Sequence, residues 1–174
     1  MATLLMKAWL FYHQGRHLET PAILDRIDSL LVREGGHIDP SGQAVLNGGL
    51  LVLRSLQAYC DGQAEVAKHL AEQALQQLQD DRTHAKVTAY AVLAGSRQMD
   101  GDLAGARALL EQALATASGP IDVCQAPLVA TRCFIEWMAG DLSALQWTAI
   151  QHYHLGGARF ATEGNQSLGH YFLA

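Results

Sequence analysis

The chain contains one unit written twice. Gly62-Gln63-Ala64-Glu65-Val66-Ala67 leads into Glu72-Gln73-Ala74-Leu75, and Gly101-Asp102-Leu103-Ala104-Gly105-Ala106 leads into Glu111-Gln112-Ala113-Leu114. In both, alanine stands five and twelve positions after a turn glycine. Looser copies follow Gly15 (Thr20, Ile27) and Gly140 (Leu145, His152), so the four glycines are spaced 47, 39 and 39 residues apart. A unit repeated at such a period buries its apolar face against its neighbours. It therefore predicts a stacked array of helix pairs and directs the functional question towards binding.

The helices can be placed from their boundaries. Asp39-Pro40 is an N-cap followed by proline at the first helical position, opening a helix to about Cys60. Asp80-Asp81 are expected to cap the next first helix, which ends near Asp100. Pro120 and Asp122 break the chain before another, whose regular part is expected from Pro127. The second helices show the clearest 3.6-residue period: Ala67, Leu70, Ala71, Ala74, Leu75 and Leu78, then Ala106, Leu109, Leu110, Ala113, Leu114 and Ala117. Glu34-Gly35-Gly36-His37 and Ala117-Ser118-Gly119-Pro120 read as loops between pairs. Gly156-Gly157 should end an eighth helix, and Ser167 to Ala174 suggests a truncated ninth.

Composition narrows the class further. Apolar residues make up 49% and charged residues 17% of the 174, which suits one packed domain spanning residues 1–174. No run approaches the roughly 20 apolar residues of a membrane span, and Met1 to Leu5 are not expected to open a signal peptide. Cys60, Cys124 and Cys133 lack the close spacing of zinc ligands, so free thiols in a cytoplasmic protein are expected. A net charge of −5 without a Lys/Arg cluster argues against nucleic-acid contact by this segment.

The glycine turn with alanine five and twelve positions later, complete at Gly62/Ala67/Ala74 and Gly101/Ala106/Ala113, resembles the signature of tetratricopeptide repeats. The resemblance implies an all-α, right-handed superhelical solenoid of antiparallel helix pairs, about eight to nine helices long. Three further stretches are similar to the helical region of large LuxR-type bacterial transcriptional regulators, the relatives of the maltose-regulon activator MalT. These are Leu5-Met6-Lys7-Ala8-Trp9-Leu10 with Gln14-Gly15-Arg16, Leu50-Leu51-Val52-Leu53-Arg54-Ser55 with Asp61-Gly62, and Trp137-Met138-Ala139-Gly140-Asp141-Leu142. The last continues in Ser167-Leu168-Gly169-His170-Tyr171-Phe172-Leu173-Ala174.

In that family a nucleotide-binding module precedes the repeats and a helix-turn-helix follows them. Neither a G-x-x-x-x-G-K-[ST] loop nor a basic recognition helix occurs here. The resemblance thus implies a sensor segment of a longer chain, with ATP bound only in a module outside it. The apolar Met1-Ala2-Thr3-Leu4-Leu5-Met6 and Phe172-Leu173-Ala174, where capping helices would be polar, agree with a fragment and with self-association through its ends.

In tetratricopeptide repeats the positions ten, six and three before the turn glycine face the concave groove. Here they are Leu5, Trp9 and Tyr12; Val52, Leu56 and Tyr59; Ala91, Gly95 and Gln98; and Ala130, Phe134 and Trp137. The inner surface is expected to be aromatic at both ends and open over Ala91 and Gly95, a shape for a small-molecule effector or a peptide. The competing reading is that these residues fill the interior.

Lys7, Arg54 and Arg132 share the position eight before the glycine, with Arg97 nearby. They form either a column for an anionic ligand or ordinary partners of carboxylates such as Glu65, Glu72 and Glu136. His13/His17 and His152/His154 lack a third ligand for a metal. Cys124 and Cys133 read as small apolar fillers. No nucleophile, base and orienting group assemble, so the chain is expected to be non-catalytic.

The preferred expectation is an effector-sensing or protein-interaction segment that meets an inducer or regulatory protein and the other domains of its regulator. A stand-alone adaptor holding a peptide or partner helix is the alternative.

Overall fold

The computed structural model describes residues 1–34, 39–78, 84–116 and 125–156, and these are helical, with no strand among them. Four pairs follow one another. The first is α1 (Ala2–His13) with α2 (Thr20–Glu34), which a short 3₁₀ turn, His17–Glu19, precedes. The second is α3 (Pro40–Cys60) with α4 (Ala64–Gln77), the third α5 (His84–Met99) with α6 (Leu103–Thr116), and the fourth α7 (Ala126–Met138) with α8 (Leu142–Gly156). Glu34, expected to open the first loop, instead ends α2; the rest of that loop, Gly35-Gly36-His37, the loop at 117–120, the caps Asp80-Asp81, Pro120, Asp122, Cys124 and the segment 157–174 lie outside the described residues.

The four turns are one structure. Gly15, Gly62, Gly101 and Gly140 all have φ between 70° and 82°, the left-handed region that costs other residues about 1–2 kcal/mol. Each turn closes with the same two backbone bonds. In the second, Gly62 N–H donates to Tyr59 O at 3.0 Å and Gln63 N–H to Ala58 O at 2.8 Å, the paired arrangement that satisfies the last carbonyls of a helix. Three helix starts are satisfied by aspartate side chains. Asp39 accepts from Gly42 N–H at 2.9 Å with Pro40 at the first helical position, as expected. Asp102 and Asp141 accept from Gly105 N–H at 2.8 Å and Ala144 N–H at 3.1 Å.

The repeat register extends to the side chains. All eight positions five and twelve after a turn glycine are buried: Thr20 and Ile27, Ala67 and Ala74, Ala106 and Ala113, Leu145 and His152. Packing runs from each helix to the next, and the first helices also contact one another, α1 on α3, α3 on α5 and α5 on α7. One core cluster extends from Ala8 of α1 to Leu128 and Ile135 of α7. The last pair adds a separate small cluster of Cys133, Leu145 and Ala149. No helix among the described residues is long and apolar enough to cross a membrane.

Candidate binding surfaces

The residues expected on an inner face divide by helix. Val52, Leu56 and Ala91 belong to the main core, and Gly95 is buried as well. A Cβ built on Gly95 would lie 2.9 Å from Tyr59 Cε2 and 2.9 Å from its hydroxyl oxygen. The expected open space over Ala91 and Gly95 is therefore filled, because the small residues of α5 let α3 close on them and the Tyr59 ring covers the gap. This corrects the groove reading for Val52, Leu56, Ala91 and Gly95. Leu5, Trp9, Tyr12 and Tyr59 are half-buried against the same core, while Gln98, Ala130 and Phe134 are half-buried and Trp137 is 47% exposed.

Trp9 and Tyr12 anchor an aromatic cluster that sequence alone did not reveal. Trp9 meets Tyr12 edge-on with ring centres 6.2 Å apart, stacks on His13 at 6.0 Å, and meets His84 of α5 at 5.0 Å. His13 and His84 are 5.1 Å apart, and Tyr12 touches His17 at 5.5 Å. The cluster joins α1 to the start of α5, across the pair between them. Burial pushes the His84 pKa down to about 4, helped by His13, whose own pKa burial lowers. Burial pushes Tyr12 up to about 12, with Cys60 and Tyr59 contributing. These groups are neutral at pH 7, as expected of packed aromatics. Beside them a small, mainly apolar hollow of about 130 Å³ is lined by Tyr12, Leu18, Leu53, Leu56 and Cys60 among others.

Each of the four candidate cations meets a group of the chain itself. The Lys7 ammonium lies 5.2 Å from the centre of the Phe11 ring. Arg54 is held by Asp25 at 2.7 Å and Asp28 at 2.6 Å. Arg97 donates to Gly105 O at 3.2 Å, and Arg132 Nε donates to Glu136 Oε1 at 2.6 Å. Of the carboxylates proposed as partners, Glu136 takes that role, and Glu65 lies 3.6 Å from Lys68. Cys133 is a buried filler as expected, its thiol pushed up to about 12 by burial and by Glu136. His152 is buried and His154 exposed, so the two do face different ways.

A polar cavity of about 210 Å³ opens between α6, α7 and the last turn. Arg107, Leu110 and Glu111 of α6, Arg132 and Glu136 of α7, Asp141 and Ala144 line it. Arg107 Nη2 lies 3.4 Å from Asp141 Oδ2, a loose pair between half-exposed side chains. Glu136 is only 2% exposed, and its Oε2 has no hydrogen-bond partner. A buried carboxylate with half of its acceptors unused is costly to keep. Four positions before the turn glycine the four units have Phe11, Ala58, Arg97 and Glu136, so the repeat register alone does not mark this place.

Compared with known protein families, curated proteins and solved structures, the chain matches none of them.

Proposed function

We propose that the chain is a non-catalytic, effector-sensing or protein-interaction segment of a LuxR/MalT-type transcriptional regulator, built as a right-handed tetratricopeptide-like solenoid. The observation that carries this reading is the fourfold repetition of the Gly15, Gly62, Gly101 and Gly140 turns, with equivalent buried positions after each. Such an array deforms by small rotations between neighbouring pairs. A ligand or partner that prefers one curvature shifts the population towards it. In this reading the segment works in the cytoplasm, contacts an inducer or regulatory protein and the other domains of its regulator, and leaves ATP and DNA to modules outside it.

The test is the coding sequence on either side, together with assays on the segment itself. An upstream phosphate-binding loop and a downstream helix-turn-helix support the reading. Robust DNA binding or ATP hydrolysis by residues 1–174 alone at physiological salt overturns it.

A specific observation favours the alternative, an adaptor for a peptide or partner helix. Trp137, Met138, Leu142 and Trp147 are all substantially exposed on the last pair, an apolar surface of the kind that partners cover. Capture of a defined helical peptide by this face, with no regulatory modules in the same gene, would decide for it.

A further inference from the structure

Among the described helices, α8 alone carries no Asp, Glu, Lys or Arg. Its pair also leaves the most apolar surface in water. Met138, Leu142, Trp147, Ile150 and Tyr153 are all exposed there, whereas α2, α3, α4 and α5 each expose one large apolar side chain, Val32, Val45, Val66 and Met99. The repeat shows that this face is not simply bare for want of a next pair. Seven residues after the turn glycine stand Ala22, His69, Ala108 and Trp147, and ten after it Asp25, Glu72, Glu111 and Ile150. All eight are exposed, although each of the first three units is followed by another pair. These positions look outward in every unit, and only the fourth fills them with large apolar side chains.

The outer stripe of α8 is also symmetrical. Ser143, Trp147, Ile150 and His154 are all exposed, are spaced four, three and four residues apart, and run polar, apolar, apolar, polar. Laid antiparallel against itself, the stripe sets Trp147 opposite Ile150 and Ser143 opposite His154, twice over, as a two-fold axis requires. The equivalent stripes lack this property. Leu18-Ala22-Asp25-Ser29, Glu65-His69-Glu72-Gln76 and Ala104-Ala108-Glu111-Ala115 each hold a carboxylate near the centre. Two copies meeting there would oppose like charges, in a chain whose net charge is already −5.

We propose that the outer face of α8 is a dimer interface, on which α8 of a second copy packs antiparallel about a two-fold axis. Trp147 lies against Ile150 of the other copy at the centre, with Met138, Leu142 and Tyr153 around them and Ser143 meeting His154 at the rim. A surface without charge offers no counterpart to a phosphate backbone, an anionic lipid or a charged peptide, but it matches itself. The exposed side chains supply on the order of 500 Å² per copy, so a dimer buries about 1,000–1,200 Å² with its rim, the low end of specific interfaces. That size suits reversible association in the micromolar range. The inference goes beyond both functional readings, giving to a second copy the face on which the adaptor reading places a peptide.

The test is sedimentation equilibrium of the 174-residue chain from about 1 to 300 μM, a range that brackets micromolar association. A reversible monomer–dimer equilibrium that stops at the dimer is expected. Ile150→Glu supplies the residue that Glu72 and Glu111 provide at the same repeat position, and Trp147→Lys lies on the same exposed stripe. Both variants should keep the native circular dichroism and weaken dimerisation at least tenfold. An equimolar mixture of the two should associate more tightly than either alone, because the new charges, opposite in sign, face each other across the axis. Met6→Glu, exposed on α1 at the other end of the array, should leave the dimer unchanged.

A chain that stays monomeric throughout overturns the proposal, as does a dimer indifferent to both α8 variants or a mixture no tighter than its components. Assembly that grows beyond the dimer and is lost in Met6→Glu would be end-to-end stacking, which also overturns it. None of these outcomes touches the regulator reading, which stands or falls on the flanking modules and the DNA-binding assay.

Discussion

The hydroxyl end of Tyr59, on α3, rests where a side chain of residue 95, on α5, would begin: a Cβ at Gly95 would lie 2.9 Å from Tyr59 Cε2 and from its oxygen. Two effects of opposite sign meet there. Alanine in a helix interior is favoured over glycine by about 1 kcal/mol, but a Cβ at this distance forces the ring or the helix aside. Gly95→Ala is expected to destabilise the native chain by about 1 kcal/mol. In a Tyr59→Ala background the same change should stabilise by about 0.5–1 kcal/mol, because only the helix term remains. Denaturant titrations of the four proteins read this directly, and an unchanged sign would show that the ring does not hold that position.

Ala106 tests the repeat register. It lies fully buried on α6, five residues after its turn glycine, at the position that Ala67 fills in the preceding unit. Additional methylenes there have no space, so Ala106→Leu should cost about 1–3 kcal/mol through overpacking. Ala104, two residues away and exposed, is the control: Ala104→Leu should change stability by less than about 0.5 kcal/mol. Equal effects at both positions would remove the register.

The sequence made the turns and second helices legible, and for a physical reason. A left-handed residue closing a helix calls for glycine, and close helix contact calls for a small residue at fixed offsets, so Gly62/Ala67/Ala74 carries its geometry in the letters. Asp39-Pro40 and the end at Cys60 were readable for the same kind of local reason. The inner face was not. How far neighbouring helices close is set by side chains from different units, such as Tyr59 over Gly95. The Trp9–His84 contact and the cavity at Glu136 are likewise meetings of residues far apart in the chain.

Leu56 and Trp137 separate interior from surface within that inner-face set. Leu56 is 5% exposed and packed in the main core, whereas Trp137 is 47% exposed on the last turn of α7. Leu56→Ala should cost about 2–4 kcal/mol, the sum of lost burial and the cavity left behind. Trp137→Ala should cost less, about 1–2 kcal/mol in the isolated chain, since half its surface already meets water. Thermal and urea unfolding of both variants check the ranking. A large loss at Trp137 would place that ring in the core and leave the exposed face of the last pair without its principal aromatic.

Three histidines make stability depend on pH in one direction. Burial holds the His84 pKa down to about 4, with His13 adding to the effect, and burial also lowers His13 and His152. His152 has no partner for either ring nitrogen, so its folded surroundings offer a proton no compensation. In the unfolded chain all three take up a proton near pH 6.5. Between about pH 6.5 and 4 the unfolded state therefore binds more protons, and stability falls as pH falls. Glu19 and Asp39, whose pKa values are lowered by their hydrogen bonds, act only below their ordinary range near pH 4, so the upper part of the window reports the histidines. His84 alone should contribute a loss of about 1–2 kcal/mol by pH 5, after allowance for partial solvent screening. His84→Phe keeps an aromatic ring against Trp9 and removes the titration. Its melting temperature should fall less steeply from pH 7 to 5 than that of the native chain, and parallel slopes would show that His84 is protonated in the folded state as readily as in the unfolded one.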